Sequence, residues 1–167
     1  MTDGQLYRLL AWLSPAYPVG AYSYSHGLEA AIEAGLVVDA ASLADWLETV
    51  LLQGSGQSDA IFLARAWQAV QAGAEEQLPA AFQPAAELRL ETCQQGRAFL
   101  AATRQAWPCP ALERLAAMAL PALPYPIAVG CACAGHGLAL RWSIAGYLQG
   151  VSANLVSAGV RLIPLGQ

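Results

Sequence analysis

Between Ser14 and Glu29 the chain reads Ser-Pro-Ala-Tyr-Pro-Val-Gly-Ala-Tyr-Ser-Tyr-Ser-His-Gly-Leu-Glu, a composition that suits neither a helix interior nor a strand interior. Pro15 and Pro18 fix φ at about −65° and remove two backbone donors, pushing Ser14 and Tyr17 into extended geometry, so no helix continues through this stretch. Gly20 then allows a sharp bend. Beyond it, Ser23 or Ser25 is placed to cap a helix with Leu28, Ile32 and Leu36 on its apolar face and Glu29 at its positive end. The predicted loop therefore delivers Tyr17, Tyr22, Tyr24 and His26 onto a helix start. Three tyrosines in a proline-shaped loop suit an interface, where amphipathic rings act as anchors. Pro18, Gly20, Tyr22, Ser23, Tyr24, His26 and Glu29 form the candidate partner-binding set. Ser25 and His26 also raise a Ser-His nucleophile, but adjacent helical residues diverge and no Gly-x-Ser-x-Gly elbow is present.

The rest of the chain repeats at helical spacing. Leu6, Leu9, Leu10 and Leu13 predict a first helix ending at Ser14. Gly35 closes the second. Ser42 to Asp45 reads as a capping-box start for a third, with Leu43, Trp46, Leu47, Val50 and Leu51 on one face. Gly54-Ser-Gly56 interrupts, and Ser58 and Asp59 sit at the expected start of a helix burying Ile61, Phe62, Ala66, Trp67 and Val70 before Gly73. Pro84 opens a longer helix carrying Leu88, Cys93, Gly96, Phe99 and Leu100, with Arg89, Glu91, Arg97 and Arg104 expected to turn outward. A short helix over 111–120 follows, and Pro126 suits the first turn of the next one. No segment alternates with period two, so the fold class is all-α, and no polar linker divides the 167 residues into two domains.

Composition excludes several function classes. Hydrophobic residues make up 56% and charged residues 12%, which leaves apolar surface for partners and gives the chain the character of a subunit. All 8 basic residues are arginine, which removes a P-loop lysine, a Schiff-base lysine and a Ser-Lys dyad together. Net charge is −4 with no basic cluster, unlike a nucleic-acid binder. The start lacks a secretory pattern, so the expected location is cytoplasmic, with Cys93, Cys109, Cys131 and Cys133 reduced. A membrane span is disfavoured. Only residues 127–140 run without proline, and at about 1.5 Å per residue they fall short of a hydrocarbon core about 30 Å thick.

Cys131-Ala-Cys133-Ala-Gly-His136 is the metal candidate, with ligand types suited to nickel or zinc. On a helix, residues i and i+2 point about 200° apart, so only Cys133 and His136 can share a face. The alternative function is accordingly a small helical nickel- or zinc-binding protein using those two. Buried cysteine in a tight helix is the plainer account. Arg97 follows Gly96, and a helical glycine costs about 1 kcal/mol relative to alanine unless close packing offsets it. Arg161 stands almost alone in an apolar segment and needs a carboxylate or carbonyl partner.

The stretch from Ser14 to Glu29 resembles the opening motif of the UreF family of urease accessory proteins. Two more blocks are similar to the same family: Arg89-Leu-Glu-Thr-Cys-Gln-Gln-Gly-Arg-Ala-Phe-Leu100, and Tyr125-Pro-Ile-Ala-Val-Gly130 leading on to 154–167. Members normally continue past Leu-Gly-Gln with further helices, so the resemblance implies a single-domain helical bundle over 1–167 that lacks the last C-terminal helices. Leu155, Val156, Val160 and Ile163 would then be partly exposed. The resemblance further implies a non-enzymatic scaffold in urease maturation, a homodimer that joins UreD (also called UreH) and the GTPase UreG to apo-urease for nickel insertion. GTP and nickel are handled by the partners in that scheme, with no cofactor bound directly, no membrane and no nucleic acid. Gln95, Arg97 and Arg161 are the candidate dimer contacts.

Overall fold

The computed structural model describes residues 1–20, 27–74, 76, 78 and 86–163, with side chains from 89 onward in the last stretch. These residues form eight helices: α1 (Asp3–Trp12), α2 (Leu28–Glu33), α3 (Ala40–Leu52), α4 (Ser55–Ala72), α5 (Ala86–Ala106), α6 (Pro110–Ala117), α7 (Tyr125–Gly135) and α8 (Leu140–Leu162). No strand occurs among the described residues, in keeping with the all-α reading.

The centre is α7. Pro124 caps it in extended geometry and Pro126 sits in the first turn, where a missing N–H costs nothing. Every residue from Pro126 to Ala134 is buried, because a helix apolar all round has no face to give to water. It packs against α4, α5, α6 and α8. Small residues let it do so at close range: a Cβ at Gly130 would lie 2.5 Å from the Leu63 carbonyl oxygen of α4. Among the described residues no helix is long and apolar enough to cross a membrane.

The main core gathers Trp12, Leu63, Phe99, Leu112, Leu115 and Ile127 around α7. A smaller core joins Leu28, Val37 and Leu43 to Ala158 and Ile163. Both draw on α8, with Tyr147 in the first and Ala158 in the second. The close approach explains the α5 glycine: a Cβ at Gly96 would stand 2.0 Å from the Leu123 carbonyl oxygen, so α5 and the strap before α7 touch backbone to backbone.

Several boundaries depart from the sequence reading. The start of α2 is Gly27, left-handed at φ 79°, with no side-chain cap, and the expected caps Ser23 and Ser25 lie outside the described residues. In α3 the capping box is Asp39 with Ser42, three residues earlier than read, because the Asp39 carboxylate takes the Ser42 N–H while Ser42 reaches back to the cap. The next helix, α4, begins at Ser55, which carries Asp59 a turn inside. Leu36 and Ile61, both assigned to apolar faces, are exposed at 66% and 55%. Pro84 lies outside the described residues. At the end of α8, Leu155 and Ile163 are buried while Val156 and Val160 face solvent, so only half of that expected face is open.

Candidate functional site

Residues 13–20 leave α1 as a tight, self-bonded loop. The Ala16 N–H donates to the Ser14 hydroxyl, and the Tyr17 N–H to the Ser14 carbonyl at 2.9 Å. Tyr17 turns inward: its hydroxyl lies 2.8 Å from Thr103 Oγ1 and its ring packs on Phe99 at 5.5 Å. This corrects its reading as an interface ring, and the cause is the apolar pocket that α5 offers. Pro18 and Gly20 are exposed, with Gly20 at φ 73°, where a side chain is strained. Glu29 is exposed on the far side. Tyr22, Ser23, Tyr24 and His26 lie outside the described residues.

Beneath that loop is a cavity of about 60 Å³, walled by Ser14, Pro15 and Val19 from the loop, Asp59 from α4, Glu91, Thr92 and Gln95 from α5, Tyr125 from α7, and Tyr147 and Asn154 from α8. Glu91 was expected to turn outward but is only 8% exposed. It lies one turn from Gln95 and two turns from Phe99, so α5 carries it inward with its core face. Gln95 Nε2 donates to Glu91 Oε1 at 3.0 Å, and the Tyr147 hydroxyl donates to Asp59 Oδ2 at 2.9 Å. Burial lifts the Glu91 carboxyl to about 7, against the Gln95 hydrogen bond, with the Asp59 charge adding to the rise. Burial also raises the Tyr125 and Tyr147 phenols, so both stay neutral through the physiological range. Tyr147→Phe deletes the donor to a buried carboxylate. It is expected to cost about 1–3 kcal/mol in urea unfolding, and a change near zero means the bond contributes nothing.

The UreF family model matches residues 37–167. A urease accessory protein UreF from Methylorubrum populi is 54% identical over 166 residues, covering 96% of this chain and 74% of its own length. Those from Rhodopseudomonas palustris and Bradyrhizobium diazoefficiens are 50% and 49% identical, covering 99% and 97% of this chain and 70% and 69% of their own. The chain belongs to the UreF family.

In this UreF-family chain the block around Gly96 is split between inside and outside. Gln95 is buried against Glu91, whereas Arg97 is exposed and donates from Nη2 to the Pro121 carbonyl, tying α5 to the strap beneath which Gly96 passes. Arg104 grips Glu113 of α6 with two of its nitrogens, Nε donating to Oε1 at 3.1 Å and Nη2 to Oε2. Arg161 is exposed in the last turn of α8 and takes part in an interaction there.

The metal candidates face different neighbours. Cys131 and Cys133 are fully buried, and burial pushes the Cys133 thiol up to about 12, against the lowering effect of a hydrogen bond with the Ser143 hydroxyl. A thiol is a poor ligand until it ionises. His136 places Nε2 3.0 Å from the Trp107 carbonyl and packs its ring on Trp12 at 5.2 Å. Burial lowers its pKa. No group of three or more metal-capable side chains occurs among the described residues.

Sequence reasoning missed Asp59 and misplaced Glu91. Both were accessible from spacing: Asp59 shares the apolar face of Leu63 and Ala66, and Glu91 that of Phe99 and Thr103.

Proposed function

We propose that this chain is a non-enzymatic scaffold of urease maturation, which as a homodimer joins UreD and the GTPase UreG to apo-urease in the cytoplasm so that nickel can be inserted. The observation that carries the reading is its membership of the UreF family over most of its length, with relatives named as urease accessory proteins. The composition is consistent with this, since a chain without lysine has no phosphate-loop lysine and leaves nucleotide chemistry to a partner. Nickel enters as cargo. The proline-shaped stretch supplies the partner surface, with Pro18, Gly20 and Glu29 exposed at its two ends and Tyr22, Ser23, Tyr24 and His26 between them. Arg97 and Arg161, at the surface of α5 and α8, are the dimer contacts, while Gln95 is turned inward and bonded to Glu91.

Capture of UreD, UreG and apo-urease by the tagged chain tests the scaffold. Tyr22→Ala and His26→Ala are expected to weaken capture about tenfold or more while leaving the melting temperature nearly unchanged. If Tyr22→Ala instead costs about 3 kcal/mol of stability and spares capture, its ring is core. Micromolar GTP binding by the isolated chain in calorimetry overturns the division of labour.

A further inference from the structure

Between Arg141 and Arg161, nearly the whole length of α8, the helix carries no charged residue. An exposed helix face is ordinarily polar or charged, and one that is neither marks a surface that something else covers. On the outer side of α8, Trp142, Val156 and Val160 are between 40% and 57% exposed, and Ala145 and Gln149 lie open between them. Beside that side runs α1. A Cβ at Gly146 would meet Leu13 at 2.9 Å, and the Gln5 side-chain amide donates to the Gly137 carbonyl at 2.7 Å, so the two helices run in the same direction. Leu6 and Leu10 remain on the outside, exposed at 41% and 64%. Together the helices wall an apolar groove of about 520 Å³, whose α8 side is Trp142, Ala145, Gln149 and Ala153.

A partner chosen by charge finds nothing to read on this face, but a copy of the same face fits it. Trp142, Ala145, Gln149, Ala153 and Val156 are separated by 3, 4, 4 and 3 residues, the same in both directions. Laid antiparallel on itself with Gln149 on a two-fold axis, the stripe sets Trp142 against Val156, Ala145 against Ala153, and Gln149 against its own copy. Each such pair then occurs twice, as a contact between identical surfaces requires. The alanines let the backbones approach beside the axis, and the larger side chains fill the ends. An amide both donates and accepts, so the two glutamines satisfy one another. Arg141 and Arg161 do not face each other in this register. We propose that two copies of this chain meet on the α1–α8 face, through antiparallel pairing of α8 about Gln149 with Leu6 and Leu10 at its flanks. An interface of ordinary size takes about 800 Å² from each partner, and Met1, Leu6, Leu10, Trp142, Val156 and Val160 with the groove between them supply an area of that order. The proposal rests on the scaffold reading for the expectation that two copies associate, and it gives that association its face.

Cross-linking of the full chain tests the axis. The native cysteines Cys93, Cys109, Cys131 and Cys133 are all buried, so on mild oxidation Gln149→Cys is expected to become a disulfide-linked dimer in most molecules. Leu36→Cys, exposed but away from the face, should stay single. In sedimentation equilibrium the wild type should be a dimer at micromolar concentration. Ala145→Arg puts a cation at the closest approach from an exposed position, and should raise the dissociation constant about a hundredfold with the helical signal unchanged. Leu36→Arg should leave it where it was. A monomeric wild type, a dimer that Ala145→Arg leaves intact, or equal cross-linking through Leu36→Cys and Gln149→Cys overturns the proposal. So does a monomeric wild type whose capture of UreD, UreG or apo-urease is lost in Ala145→Arg, because the face then serves another protein. Capture that survives loss of the pairing leaves the scaffold standing, and failed capture with the pairing intact leaves the pairing standing.

Discussion

Gly96→Ala is expected to destabilise the fold by about 3 kcal/mol, read as a lower urea midpoint at unchanged slope. Elsewhere in an exposed helix the same change gains about 1 kcal/mol, since alanine is the better helix former. Here the new methyl meets the Leu123 carbonyl oxygen at 2.0 Å and the Pro124 carbonyl carbon at 2.8 Å, and both are backbone atoms that no rotamer change can move aside. The strap must shift, and with it the start of α7, on which the main core is built. Gly4→Ala is the control, because nothing lies within 4 Å of a Cβ there and Gly4 is on the exposed first turn of α1. It should be neutral or slightly stabilising. Equal stability of the two variants removes the close approach from the account.

Trp12→Ala is the second large effect, expected at about 3–5 kcal/mol. The indole is fully buried where α1 meets the core, edge-on to Phe99 and Trp107 with centroids 6.1 Å away, and 5.2 Å from His136. Its removal empties the position that links α1, α5 and the end of α7. Trp12→Phe should cost clearly less. It keeps an aromatic ring, and it deletes an indole N–H that has no hydrogen-bond acceptor among the described residues, a group that is itself a burden when buried. Chemical unfolding of the two variants checks the order. If phenylalanine costs as much as alanine, the site depends on the shape of the indole rather than on the area it buries.

Helix class was legible because most apolar stripes repeat at helical spacing and most breaks are marked by proline or glycine. The C-terminal cap of α4 is an example: Gly73 is left-handed at φ 63°, as its place after the stripe suggested. The caps of α2 and α3 were less legible, since serine can serve either as the cap itself or three residues later. Ser42 takes the second place, with Asp39 in the first. The polar cavity was hidden for a different reason. Acidic residues are assigned to solvent by default, and only the helical face they share with Phe99 or Leu63 shows otherwise. Tyr17 was misjudged because its partners, Thr103 and Phe99, lie more than eighty residues away along the chain.

The sharing of α8 between the two cores has a thermodynamic consequence. Its 23 residues form one continuous rod, with Tyr147 fixed at one end of it and Ala158 and Ile163 near the other. The α2–α3 core and the walls of the acidic cavity are therefore joined through one helix, with no loop between them. Any coupling carried along the rod is reciprocal: the effect of an occupant at one end on binding at the other equals the effect in reverse. Two surfaces of a small helical protein can in this way sense each other without any rearrangement of the helix that joins them.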